Sequence, residues 1–150
     1  SRRQRQMCIR DRITARHVPS GDLYRYVLTS RGMKSGVKIG HGWGAMNVIL
    51  GPGDMNGDRN ADIVGIRSDG KMFFYAGDRE GQIKLTGQIG HGWQNFVDAV
   101  IPGDVNGDGR FDLVGIREDG KLFTYFNMGK GYWNAPVEGG HGWHNIALIG

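Results

Sequence analysis

The chain has 150 residues, among them 27 glycines and four tryptophans, and a formal charge of +4. That length can bury one core of ordinary size, and so much glycine excludes a helical bundle in favour of tight turns anchored by aromatic side chains. The expected class is all-β, and where the charge lies decides whether it points to a polyanionic partner.

Residues 1–12, "SRRQRQMCIRDR", set Arg2, Arg3, Arg5, Arg10 and Arg12 against Asp11, which is the whole excess. Residues 13–150 then hold fourteen basic and fourteen acidic residues and are neutral. Nucleic-acid binding, which needs a basic face, is excluded for that part. The run Met7-Cys8-Ile9-Arg10-Asp11 resembles the translation of a transposon-end adapter used in sequencing libraries. Residues 1–12 are therefore expected to be a disordered, adapter-derived artefact outside the fold, the alternative being a natural basic tail. Cys8, the single cysteine, falls inside this stretch, so no disulfide is available. No apolar run is long enough to span a bilayer, and no signal peptide is read.

From residue 13 the chain repeats. "ITARHVPSGDLYRY" (13–26) matches "IVGIRSDGKMFFY" (63–75) with a one-residue insertion, and "GHGW" stands at 40–43, 90–93 and 140–143. Self-similarity at a fixed spacing of fifty residues signals a solenoid or a propeller. Within a unit, "FVDAVI" (96–101) is apolar and β-branched and leads into an acidic loop; "DLVGIR" (112–117) is a second strand. "EDG" (118–120) supplies a hairpin turn, "KLFTYF" (121–126) alternates as a half-buried strand does, "NMGKG" turns the chain, and a weaker fourth strand lies near 136–138. Four antiparallel strands per fifty residues is the layout of a propeller blade. Residues 13–150 are thus expected to be a partial β-propeller of three repeats, the first and last incomplete, cut from a larger propeller. Phe73, Tyr75, Phe123 and Tyr125 are expected to pack between neighbouring sheets.

The acidic loop occurs twice, as "GDMNGDRNADIVG" and "GDVNGDGRFDLVG". Counted from its first aspartate, oxygen-bearing side chains fall at positions 1, 3, 5 and 9: Asp54, Asn56, Asp58 and Asp62, then Asp104, Asn106, Asp108 and Asp112. Position 7 is Asn60 in one copy and Arg110, through its carbonyl, in the other. Alternate oxygens on a curled loop suit a hard cation, and Ca²⁺, which takes six to eight oxygens, suits them better than Mg²⁺. A helix-loop-helix site is excluded, because its position-12 glutamate is replaced by Gly65 and Gly115 and the flanks read as strands. Asp-Asn-Gly clusters are also ordinary turn formers, but three crowded carboxylates kept in both copies repel without a cation. Arg59 at position 6 makes the first loop the weaker site.

The "GDxNGDGxxDLVG" unit resembles the FG-GAP or VCBS-type repeat and is similar to the calcium-bearing blades of integrin α-chain propellers. That resemblance implies a propeller whose calcium is structural, held by the aspartates and asparagines named above. It also implies a secreted or cell-surface setting, as a non-catalytic part of a larger secreted protein or hydrolase. "IGHGWQNF" with "DGKLFTY" is similar to signatures of tachylectin-type lectin propellers.

The expected function is a binding module for a cell-surface glycan, a cell-wall polymer or a protein, completed by the remaining blades of the full-length propeller. The alternative is a lectin that stacks Trp43, Trp93 and Trp143 on sugars; against it stands a wedging role for these rings between blades, with glycines beside them for lack of room. An enzyme is not expected. His41, His91 and His141 recur once per unit and so lie apart, His144 belongs to no motif, and Ser20, Ser30, Ser35 and Ser68 have no repeated acid-base neighbour.

Overall fold

A computed structural model describes residues 12–149; the adapter-like residues 1–11, with Cys8, lie outside the described residues. The described part is all-β. Its strands are β1 (Arg12–His17), β2 (Asp22–Thr29), β3 (Gly32–Met33), β4 (Val37–Gly40), β5 (Met46–Gly53), β6 (Asp62–Arg67), β7 (Met72–Gly77), β8 (Ile83–Gly90), β9 (Phe96–Gly103), β10 (Asp112–Arg117), β11 (Leu122–Tyr125), β12 (Asn127–Gly129), β13 (Tyr132–Trp133) and β14 (Val137–Gly140). A 3-10 turn at Trp43–Ala45 is the one helical element among the described residues.

Two sheets are full antiparallel meanders, β5-β6-β7-β8 and β9-β10-β11-β14, and these are propeller blades. The first sheet carries β1, β2 and β4, with β3 on the far end of β2. Registers show the repeat directly: Leu23 pairs with Gly40, Met72 with Gly90 and Leu122 with Gly140. The one-residue insertion therefore sits in the β1–β2 turn, where Gly21 takes φ +72.

Three expectations shift in detail. β1 begins at Arg12, one residue inside the segment assigned to the artefact. β9 runs on through Pro102 to Gly103, with a register shift between Asp112 and Val114 that launches the acidic loop. "NMGKG" is not a bare turn, because it builds the β12–β13 hairpin, with Gly129, Lys130 and Gly131 all at positive φ.

Apolar side chains from facing sheets form two cores. Val64, Ile66 and Met72 of the second sheet meet Trp93, Phe96, Leu113, Phe123 and Tyr125 of the third. Leu23 and Ile39 of the first meet Trp43, Met46 and Ile63 of the second, with Phe73 and Tyr75 packed alongside. Phe73, Tyr75, Phe123 and Tyr125 all take inter-sheet places. Arg67 and Arg117 cap the Phe73 and Phe123 rings at 5.0 and 4.1 Å.

Candidate functional site

Each acidic loop joins the first strand of a blade to the second. The chain curls because Gly57 and Arg59, and likewise Gly107 and Gly109, adopt left-handed φ. The curl turns a run of backbone N–H groups inward, and the aspartates accept them. Asp54 Oδ1 accepts from Gly57 and Asp58 at 2.7 and 3.0 Å, and its Oδ2 accepts from Arg59 at 2.7 Å. Asp104 repeats this with Gly107, Asp108 and Gly109 at 2.7, 3.1 and 2.7 Å. Asn56 and Asn106 accept from Asp58 and Asp108, while Asp58 and Asp108 accept from Asn60 and Arg110. The Arg110 guanidinium also pairs with Asp108 at 3.6 Å.

The position-9 aspartates behave differently. Asp62 and Asp112 are fully buried at the first residue of the second strand. Asp62 Oδ2 accepts from Met55 and Asn56, and its Oδ1 reaches Gly77 at 2.9 Å. Asp112 likewise bridges Val105 and Asn127. Asp62 therefore ties the start of its loop to the end of β7, and Asp112 ties its loop to the start of β12, just past β11. Burial pushes the Asp62 carboxyl above the usual aspartate range, opposed by its three amide donors. Asp104, fully exposed, is pulled below that range by the Gly109 N–H first of all.

The donor set fits a hard cation in kind, since every side-chain ligand candidate offers oxygen. Its oxygens are engaged by amides, and among the described residues no group of three or more His, Cys, Asp or Glu is drawn around a common centre. Position 9 is where the structure departs from a simple inward ring: Asp62 and Asp112 serve the fold of the whole blade as well as the loop.

The tryptophans fall into two kinds. Trp43 and Trp93 are each 4 % exposed and pack on Tyr75 and Tyr125 in tilted pairs with ring centroids 4.5 Å apart. Neither can offer a face to a sugar from solvent, so the wedging role holds for both. The neighbouring glycine is obligatory, because a Cβ on Gly40 or Gly90 would stand 2.4 or 2.6 Å from the indole nitrogen. Trp143 is half-buried.

Trp133 breaks the fifty-residue period, and that departure was the signal available in the sequence. Its indole N–H donates to Ile89 O at 2.7 Å, and its ring meets Trp93 edge-on at 5.6 Å. With Tyr132, 71 % exposed, it walls a cleft of about 350 Å³ that His91, Tyr125 and Asn134 also line.

His41, His91 and His141 lie exposed at three separate turns and form no constellation. One serine–histidine contact was not foreseen, His17 Nδ1 to Ser20 Oγ at 2.7 Å. It closes the β1–β2 turn, where Ser20 Oγ also accepts the Asp22 N–H, on an exposed surface.

No helix among the described residues is long and apolar enough to cross a membrane. Comparison with curated proteins and with solved structures found no match. Residues 54–115 match the family model of the FG-GAP-like repeat. The match starts at the first residue of one acidic loop and ends three residues after Asp112 closes the other, so it contains both loops and the blade strands between them. Over residues 54–115 the chain is thus similar to an FG-GAP-like repeat.

Proposed function

We propose that the chain is a non-catalytic, calcium-braced array of propeller blades that presents its loops to a glycan, polymer or protein at a cell surface. It would act within a larger secreted or surface protein. Calcium would be held in one loop by Asp54, Asn56, Asp58, Asn60 and Asp62, and in the other by Asp104, Asn106, Asp108, the Arg110 carbonyl and Asp112. When bound, the ion supplies charge compensation and a fixed loop shape, not chemistry on a substrate. The carrying observation is the loop pair itself: three carboxylates within nine residues, at the same positions in both copies, two on the turn and the third buried where the next strand begins. Like charges at that density repel, and a cation offsets the repulsion.

Thermal unfolding with excess calcium and with EDTA tests this reading. A ligand present at a hundred times its Kd stabilises by about 2.7 kcal/mol. For a chain of this size that corresponds to a rise in Tm of roughly 5–10 °C. Identical curves in the two buffers would remove calcium from the account.

The second reading, sugar binding, is favoured by the Tyr132–Trp133 cleft and not by the buried GHGW rings. An exposed aromatic face beside His91 and Asn134 suits the apolar face and hydroxyls of a pyranose. A glycan array followed by Tyr132→Ala tests it: the expected result is a hit that the substitution abolishes. Absence of binding to every glycan would discard the reading.

A further inference from the structure

The second acidic loop and the aromatic cleft are joined by a continuous set of hydrogen bonds. Asp104 gathers the loop by accepting from Gly107, Asp108 and Gly109. Its neighbour Val105 donates to Asp112 Oδ2 at 2.8 Å, and Asp112 Oδ1 accepts from Asn127 at 3.1 Å. Asp112 is fully buried, so both bonds lie away from water, where they are electrostatically stronger. Asn127 Oδ1 in turn accepts the Gly129 N–H at 2.8 Å.

Asn127 and Gly129 are the residues on which the cleft wall stands. In the β12–β13 hairpin Asn127 lies opposite Trp133, and Gly129 lies opposite Tyr132. Asn134 closes the hairpin on Phe126, accepting its N–H at 2.9 Å and donating to its carbonyl at 3.0 Å. The path from Asp112 to either aromatic residue is therefore two hydrogen bonds and one strand pairing at most. Arg110 supplies a second tether. Its guanidinium pairs with Asp108 at 3.6 Å and its Nε lies 3.1 Å from where a Cβ on Gly129 would be. An ion pair so exposed contributes little, so Asp112 carries the link and Arg110 steadies it.

The first loop makes the same bond to a different end. Asp62 reaches Gly77 as Asp112 reaches Asn127. Counted from Gly77 and Asn127, however, Gln82 and Ile83 stand where Tyr132 and Trp133 do. Its order is passed to a strand pair without the aromatic wall.

We infer that the 104–112 loop sets the order of the Tyr132–Trp133 cleft, so that a cation in the loop pre-organises the cleft for its ligand. The inference rests on the readings proposed above, that the loop takes calcium and that the cleft binds; the coupling between them can be measured with the cleft empty. A wall ordered in advance spares the ligand part of the entropy of ordering it. Linkage makes the effect reciprocal, so a cleft ligand raises calcium affinity by the factor by which calcium raises its own.

Hydrogen exchange of the full chain, followed by NMR, tests it. In EDTA, Asp104→Ala takes the acceptor from three loop amides and lies outside the hairpin. It should speed exchange at the Asn127 and Gly129 amides and the Trp133 indole by roughly tenfold, an ordinary coupling factor. Asp54→Ala, the same change in the first loop, should leave these groups unaltered. Excess calcium should slow them in the parent chain and have no effect on them in Asp104→Ala. Hairpin exchange that ignores Asp104→Ala, or answers both substitutions alike, would overturn the inference. So would calcium that binds by calorimetry without slowing the hairpin. A flat calorimetric trace with the Asp104→Ala response intact would instead remove calcium as the effector and support the coupling of loop to cleft.

Discussion

Arg59 holds a left-handed backbone, φ +71, at the place where the second loop has Gly109 at φ +84. A side chain in that region costs about 1–2 kcal/mol, part of which glycine returns through the greater freedom of its unfolded chain. Arg59→Gly should therefore raise stability by about 1 kcal/mol in chemical denaturation, and an unchanged or lower midpoint would contradict this. The two acidic positions titrate in opposite senses. Amide donors, that of Gly109 first, lower Asp104, so its contribution is present above the unfolded aspartate pKa and is lost as pH falls through its depressed value. Burial raises Asp62, so its contribution is present below the unfolded pKa and is lost as pH rises through the raised value. Carboxyl titration by NMR in EDTA should place Asp104 below and Asp62 above the ordinary aspartate midpoint; coincident midpoints would contradict the assignment. The sequence located the two acidic loops between strands, and not the partners of their side chains. Asp and Asn beside glycine serve amide-capped turns and cation ligation alike, so residue type alone cannot show that Asp62 and Asp112 also fasten Gly77 and Asn127.

Blade elements depend on glycine where an indole needs its space. Gly90→Ala places a methyl 2.6 Å from Trp93 Nε1, and overpacking of this kind costs about 1–3 kcal/mol. Gly87→Ala, on the same strand with nothing within 4 Å of the new methyl, should be neutral or slightly stabilising. Equal losses for the two variants would refute the wedge role of the GHGW turn. Strands with strong β-branched or alternating patterns were legible within a residue or two, as β10 and β11 show. The β12–β13 hairpin was not, because its strands are three and two residues long and carry no periodicity. β1 was legible through its match to β6 and not through its own alternation, since Thr14 and Arg16 stand where Val64 and Ile66 do.

At the scale of the molecule, the fifty-residue period carried most of what could be read: class, blade layout, loop placement and the recurrent tryptophans. What it could not carry lies where the copies differ. Arg25 stands where Phe74 and Thr124 do and is buried, its Nε bonded to Thr14 and its Nη1 without a partner among the described residues. Trp133 likewise departs from the repeat and walls the cleft beside Tyr132. The central claim is one calcium per acidic loop, and isothermal titration of the calcium-stripped chain tests it most directly. Two ions should bind per chain, the one at 54–62 more weakly because of Arg59, and Asp104→Ala should leave one. A titration that shows no binding heat, or two sites that survive Asp104→Ala, would contradict the account.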